Sequence, residues 1–85
     1  MTNDHATLSV SVVLDTSISN AEKAMLLILA CYVDAEGMCS VQQRTLAEHY
    51  GCSLRFARTL LTRLRAKGCL TWERRASQNV YRMLR

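Results

Sequence analysis

The sequence predicts a small, mainly α-helical domain with a minor β component. Hydrophobic residues make up 49% of the 85 residues, Pro is absent and only three Gly occur, which is typical of a folded, helix-rich chain. Apolar residues recur at helical spacing through the middle of the chain and alternate with polar residues near both ends. A chain of this length supports one hydrophobic core. We therefore expect one domain over residues 17–85, preceded by an N-terminal arm or edge strand over residues 1–16.

The first two elements are indicated by an alternating segment and a helix-start motif. Residues 7–14, TLSVSVVL, alternate with period two, which predicts an edge strand or an arm that pairs with a second subunit. The motif SNAE, Ser19 to Glu22, is a capping box, so a first helix is expected to begin near Asn20. Gly37 is the expected end of this helix. Because the helix is apolar on more than one side, it is expected either to be a central core element or to leave one face for a dimer partner.

A short second helix and a longer third helix are expected on either side of Gly51. The second helix is predicted over about residues 41–50, and its start is open between a capping box of Ser40 with Gln43 and an onset at Gln42. Ser53 is a suitable N-cap for the third helix. At about 100° per residue, this helix separates into two faces. Its inner face comprises Ala57, Leu60, Leu61 and Leu64, and its outer face comprises Arg55, Thr59, Thr62 and Ala66, flanked by Arg58 and Arg63.

The C-terminal segment is predicted to be a β-hairpin. After Gly68, residues 69–74 and 79–85 alternate with period two, and RASQ separates them. The tip lacks the Asn-Gly or Asp-Gly of a tight two-residue turn, so a longer loop is expected. Trp72 and Tyr81, on facing strands, are expected to fill the space beneath the hairpin.

Charge is distributed unevenly along the chain. Residues 44–85 carry ten of the eleven Lys and Arg and two acidic residues, a balance of +8, whereas residues 1–43 carry a balance of −4. A basic face on a small domain favours a polyanionic partner, with nucleic acid the leading candidate.

Several other classes of protein are disfavoured. The histidines, His5 and His49, have no nearby nucleophile or carboxylate pair, and no Gly-rich phosphate loop occurs, so we do not expect an enzyme. The four cysteines form no C-x-x-C pair and are expected to be buried free thiols, without metal or disulfide. No cofactor or small-molecule ligand is expected. The apolar run over residues 24–33 is about half the length that spans a bilayer and no secretory signal is visible, so a cytoplasmic protein without a membrane partner is expected.

The order of these elements, together with the residues of the segment Leu46 to Leu70, resembles the winged helix-turn-helix family. Leu46 and Ala47 begin an "LA…G.S" motif that Gly51 and Ser53 complete. The buried positions of the third helix follow in register: Ala57, Leu61 and Leu64, then Gly68 and Leu70 at the entry to the wing. The segment is similar to the DNA-binding domains of GntR-type regulators and to the winged domains of phage and plasmid replication or regulatory proteins. Phe56 and Leu54 depart from the usual family residues, so the pattern predicts the fold better than the base preference.

The resemblance implies that the third helix, about residues 53–67, enters the DNA major groove. Arg55 and Thr59 are then the candidates for base contacts, and Arg58 for a base or phosphate contact. Arg63, Arg65 and Lys67 are candidates for flanking phosphates, and Phe56 is expected to pack against the second helix. The remaining candidates are Ser53 and the start of the second helix (Gln42, Gln43, Arg44, Thr45) for phosphates, and the wing (Arg74, Arg75, Gln78, Asn79) for the minor groove.

Two functions follow as hypotheses of different kinds. The first is sequence-specific binding of double-stranded DNA by a small transcriptional regulator or by a plasmid or phage replication or partition factor, with a homodimer formed through the N-terminal strand or the first helix. The second is a winged-helix protein-interaction module, or a DNA-binding fragment of a larger protein. DNA binding requires the basic face, whereas the protein-interaction module requires the apolar excess of the first helix or the N-terminal strand.

Overall fold

The computed structural model describes residues 10–76 and 78–84. Within these residues, three helices and a three-stranded antiparallel sheet surround one core, and a short additional helix precedes them. The elements in chain order are α1 (Val10–Leu14), α2 (Asn20–Ala30), β1 (Met38–Ser40), α3 (Gln43–Tyr50), α4 (Leu54–Ala66), β2 (Leu70–Arg75) and β3 (Gln78–Met83). None of the described helices is long and apolar enough to cross a membrane. This architecture confirms the predicted mainly α fold with a C-terminal wing.

The core is formed around α4, which packs against both α2 and α3. Its four inward residues, Ala57, Leu60, Leu61 and Leu64, are completely buried, as the 100° spacing predicts. The sheet has the strand order β1-β3-β2 and contributes Tyr81 and Cys39 to the same core. The opposite side of α4 is consequently left exposed to solvent.

The predicted N-caps Ser19 and Ser53 are confirmed. Ser19 and Glu22 form the complete capping box of α2: the Ser19 hydroxyl accepts from Glu22 N at 3.1 Å, and the Glu22 carboxylate accepts from Ser19 N at 2.9 Å. The Ser53 hydroxyl accepts from Phe56 N at 3.1 Å and caps α4. Gly51 ends α3 in the left-handed conformation, with φ +83°. The turn between α3 and α4 is therefore as predicted.

The expected extension of the first helix to Gly37 is wrong, because α2 ends at Ala30. The Asp34 carboxylate accepts from the backbone N–H of Glu36 and of Met38, which fixes a turn, and Gly37 sits in this turn with φ +80°. Local side-chain bonds of this kind compete with helix. The turn leads into β1, a strand that the sequence does not predict.

The second helix begins later than the capping-box alternative predicts. Ser40 is not a helix cap, because it belongs to β1 and pairs with Val80 of β3. The N-cap of α3 is Gln42, whose side chain makes no capping bond, so the onset at Gln42 is the alternative that holds. Strand pairing with a distant segment overrides the local capping motif here.

The predicted N-terminal strand is wrong where it can be compared. Val10–Leu14 is the short helix α1, and Val12 is fully buried in the core, whereas residues 7–9 lie outside the described residues. The Lys23 ammonium donates to the carbonyl of Val13 at 2.6 Å, and Asp15 accepts from Ser17. These bonds satisfy backbone groups at the end of the helix, where a strand would have needed a partner.

The wing has the predicted strands but a shorter tip. β2 and β3 pair from Leu70 with Met83 through to Arg75 with Gln78, so two residues separate the strands. Ala76 has φ +53°, in the left-handed region, which allows a close turn without the Asn-Gly that tight hairpins favour. The expectation of a longer, looser loop is therefore wrong.

The cysteines are free thiols, but only two of them are buried. Cys39 and Cys69 lie in the core, Cys52 is half-buried and Cys31 is exposed on α2. Burial, together with the negative charge of Asp34, raises the pKa of the Cys39 thiol to about 11. Cys31 shares the exposed side of α2 with Ala24 and Leu27.

Candidate nucleic-acid interface

The exposed side of α4 carries a shallow groove lined by arginines and threonines. Its lining residues are spaced three, four, seven and eight positions from the first of them, so they share one helix face. The lining residues are Arg55, Arg58, Thr59, Thr62 and Arg63. The Thr59 hydroxyl donates to the carbonyl of Arg55 at 3.1 Å. We call this set the recognition groove. Thr62 was not among the predicted contacts, although its outward angle on the helix could have identified it.

A second concavity, which we call the junction cleft, lies where α3, α4 and the wing meet. Side chains from all three contribute to it, as does the α3 cap. Its lining residues are Gln42, Gln43, Arg44, Leu54, Arg58, Arg74, Gln78 and Asn79. Three arginines and four amides therefore converge, and the described residues that line the cleft include no carboxylate. Such a surface can bind an anion through charge-assisted hydrogen bonds.

Arg58 belongs to both surfaces. Its Nε donates to the Oε1 of Gln43 at 2.9 Å, which connects the outer face of α4 to the start of α3. This bond uses one of the five guanidinium N–H groups and leaves four for a ligand. Gln42 and Arg44 also line the cleft, at the N-cap and the second residue of α3, where the first N–H groups of a helix have no intrahelical partner.

The other predicted residues near the helix starts lie outside the junction cleft. Thr45 is half-buried in the first turn of α3, and the exposed Ser53 caps α4. The Ser53 hydroxyl uses an acceptor site for Phe56 N and keeps its own hydrogen to donate. Leu54, which follows this cap, lines the cleft, although it was not among the predicted contacts.

The wing residues are divided between its two faces. Arg74 and Asn79 are directly paired across the strands and both line the junction cleft. Arg75 instead forms an ion pair with Glu73 and, with Thr71, Val80 and other residues, lines a separate depression. Arg75 is thus the predicted wing residue that the structure does not bring to the cleft.

The C-terminal end of α4 uses its cations within the protein. The Arg65 guanidinium stacks over the Trp72 ring, with its carbon 4.4 Å from the ring centroid. The Lys67 ammonium lies 2.5 Å from the buried Glu22 carboxylate and donates to the carbonyl of Ser17 at 2.5 Å. Neither side chain is positioned as the free phosphate ligand that the sequence suggested. The α4 cations that remain available to a partner are therefore Arg55, Arg58 and Arg63.

The environment of Glu22 explains its charge. Burial by itself raises the pKa of this carboxyl, but the hydrogen bonds from Lys67 and Ser19 outweigh that effect, so the pKa lies below its ordinary value of 4.5. The carboxylate is fully enclosed, with 2% of its side chain exposed. This pair connects the start of α2 to the end of α4 and orients the recognition groove relative to the core.

The aromatic residues pack as expected. Phe56 contacts Tyr50 of α3 edge to face, with ring centroids 6.1 Å apart. Trp72 and Tyr81 pack against each other beneath the wing at 5.5 Å. The His49 ring packs against Tyr32 at 5.8 Å, and His5 lies outside the described residues.

Comparison with known proteins gives one result. A family model described as a helix-turn-helix domain matches residues 16–70, which span α2 to the start of the wing. Comparisons with curated proteins and with solved structures gave no significant match. The matched region contains the whole recognition groove and the α3 and α4 sides of the junction cleft.

Proposed function

The chain belongs to the helix-turn-helix family of DNA-binding domains, and we propose that it binds double-stranded DNA sequence-specifically with α4 in the major groove. The single observation that carries this proposal is the recognition groove. Its arginines and threonines occupy one face of a helix whose other face is fixed in the core. The major groove admits one α-helix, and a rigid helix with a polar outer face is what such docking requires.

Within this arrangement, the residues take different roles. Arg55 and Thr59, in the first turns of α4, contact base edges: an arginine donates two hydrogen bonds to guanine, and a threonine contacts bases through its hydroxyl or methyl group. Arg63, two turns further along, contacts a flanking phosphate. The junction cleft holds backbone phosphates between α3 and the wing, and Arg74 with Asn79 directs the wing toward the adjacent minor groove.

Two copies acting together would supply the specificity that one copy lacks. A single recognition helix contacts only a few base pairs, so useful discrimination generally needs two half-sites. The surface that supports pairing is the exposed stripe of α2, Ala24, Leu27 and Cys31, which has an apolar character unusual for a solvent-facing helix. The earlier alternative, pairing through an N-terminal strand, loses support because Val10–Leu14 is helical.

The proposed setting is a cytoplasmic or nucleoid-associated protein of a bacterium, acting as a small transcriptional regulator or as a plasmid or phage replication or partition factor. This rests on the resemblance of residues 46–70 to such proteins. The apolar α2 stripe also favours a second candidate, a winged-helix module that binds another protein. That candidate predicts normal partner capture after Arg55, Arg58 and Arg74 are all changed to Ala, whereas the DNA hypothesis predicts loss of binding.

A selection from a random pool of duplex DNA tests the proposal. Enrichment of a shared sequence is expected, and the spacing of repeated half-sites would give the number of copies bound. Arg55→Ala should weaken binding to the enriched site by about 1–3 kcal/mol and relax the preference at one or two positions, whereas the matched variant Arg63→Ala should weaken all sequences alike. A pool that remains random after repeated selection would refute sequence-specific binding.

A further inference from the structure

We infer that Gln43 is a positioning residue that holds Arg58 in the junction cleft, where Arg58 contacts a DNA phosphate instead of a base. This inference rests on the proposed function and refines it. The sequence left Arg58 open between a base and a phosphate contact and assigned Gln43 to a phosphate of its own. The hydrogen bond between the two side chains changes both assignments.

The Arg58 side chain lies where the two surfaces meet. It lines the recognition groove with Arg55 and Thr59, and it also lines the junction cleft with Arg44 and Arg74. A long, exposed arginine has many rotamers, and holding it in one of them costs conformational entropy. Whatever fixes the guanidinium therefore decides which of the two surfaces it serves.

Gln43 supplies that constraint. Its Oε1 accepts from Arg58 Nε at 2.9 Å, a distance typical of a good hydrogen bond to a charged donor. Gln43 is half-buried at the first position of α3, so it is itself restrained. Because an arginine Nε–H can only donate, the amide must present its oxygen to Arg58. The bond draws Arg58 toward α3 and the cleft, and the four remaining guanidinium N–H groups stay available for a phosphate.

The surroundings of the cleft favour a phosphate. Arg44 and Arg74 come from two other elements, so three cations surround one concavity, and the described lining residues contain no acid that would neutralise them. In the recognition groove, by contrast, Arg55 and Thr59 already supply the groups for base contacts. Gln43 thus assigns Arg58 to the cleft and leaves the base contacts to Arg55 and Thr59.

The first measurement concerns the free protein. Gln43→Met keeps the length of the side chain and removes the acceptor, so the NMR resonance of Arg58 Nε–H should shift and its hydrogen exchange with water should become faster. The matched control Gln42→Met alters a neighbouring cleft residue whose side chain makes no capping bond, and should leave that resonance unchanged. An Arg58 resonance that is the same in Gln43→Met and the wild type would overturn the positioning role, whatever the DNA result.

The second measurement is a double-mutant cycle on a short duplex of random sequence. Gln43→Met should weaken binding about 3- to 10-fold in the wild type and less than about 2-fold when Arg58 is already Ala, because Gln43 acts through Arg58. Arg58→Ala should reduce the salt slope by about 1 and weaken all sequences alike. The losses from Gln42→Met and Arg58→Ala should simply add.

The outcomes separate this inference from the proposed function. Independent, additive losses for Gln43→Met and Arg58→Ala would show that Gln43 has a contact of its own, and would overturn the inference while leaving DNA binding intact. A change in base preference on Arg58→Ala would also overturn it, since Arg58 would then be a base contact. A wild-type protein that binds no duplex even at low salt would refute the proposed function, and with it the role of this pair on DNA.

Discussion

Replacing Lys67 with Met is expected to destabilise the domain, because it leaves a buried carboxylate without its cation. Glu22 is enclosed in the core, and the Lys67 ammonium lies 2.5 Å from its Oε1. The variant keeps the aliphatic part of the Lys67 side chain and the hydrogen bond from Ser19 N to Glu22, so the loss of stability reports the contribution of the ammonium group. The bond from Lys67 to the Ser17 carbonyl is lost with it.

The expected magnitude lies between two limits. Removing one partner of a fully buried pair costs about 3–5 kcal/mol, whereas exposed pairs contribute about 0–1 kcal/mol. Glu22 has 2% of its side chain exposed but Lys67 has 34%, so solvent screens one end of the pair. We therefore expect a loss of about 2 kcal/mol in the free energy of unfolding at neutral pH. In urea, where a small domain has a slope of about 1 kcal/mol per molar, the midpoint should fall by about 2 M.

The stability lost in Lys67→Met is also expected to depend on pH. In the wild type the pKa of Glu22 is lowered by folding, so its stabilisation is present above pH 4.5 and is lost as pH falls through the folded-state pKa. In Lys67→Met, burial raises the pKa of Glu22 because the Lys67 ammonium no longer lowers it. Protonation of Glu22 in the folded variant then removes the free-energy cost of burying its charge. The difference between the two proteins should therefore shrink below about pH 4.

Urea unfolding followed by far-ultraviolet circular dichroism, at neutral pH and below pH 4, measures this difference. Glu22→Gln combined with Lys67→Met is the control, because removing both charges should recover most of the stability. A neutral-pH loss below about 0.5 kcal/mol, or a loss that is equal at both pH values, would refute the reasoning.

Three further substitutions and one exposed control test the scaffold of the site by the same unfolding measurement. Gly51→Ala should cost about 1 kcal/mol through the backbone alone, since φ is +83° and an added Cβ would meet nothing within 4 Å; no loss would contradict the left-handed turn. Leu61→Ala should cost about 2–5 kcal/mol by opening a cavity beneath the recognition groove, whereas the exposed Arg63→Ala should change stability by less than about 0.5 kcal/mol. Ser53→Ala should cost about 1 kcal/mol, because the α4 cap is lost, and an unchanged stability would argue against that cap.

The best-predicted part of the molecule is the one in which local and tertiary signals agree. For α4, the Ser53 cap, the 100° spacing of leucines and the basic outer face indicate the same helix, and the structure gives Leu54–Ala66. The recognition groove follows directly from that spacing. A helix that carries its own cap and its own amphipathic pattern can be recognised without knowledge of its neighbours.

The sequence-based predictions are wrong where residues far apart in the chain determine the structure. Strand β1 has three residues and no alternation to detect, and it exists because β3 pairs with it more than 35 residues later in the chain. Residues 10–14 continue the alternating pattern of a strand, yet they form a short helix. The hydrogen bond from the Lys23 ammonium to the Val13 carbonyl and the turn at Asp15 close this helix.

The sequence predicted most residues of the candidate site, but not their arrangement in space. The sequence placed Gln43, Arg58 and Arg74 on three elements, and only the folded wing shows that they share one cleft. It also treated Lys67 as a free cation, because the Glu22 that binds it is 45 residues away. Hydrogen bonds across such separations depend on tertiary packing, which residue types and spacing do not specify.

The most direct test of the central claim is the salt dependence of DNA binding. If Arg58, Arg63 and the cleft residues Arg44 and Arg74 together neutralise about four phosphates, the logarithm of the affinity should fall linearly with the logarithm of the salt concentration. The expected slope is about −4 per subunit bound. Binding to duplex DNA with that slope would support the account. Binding whose affinity does not change with salt would contradict it.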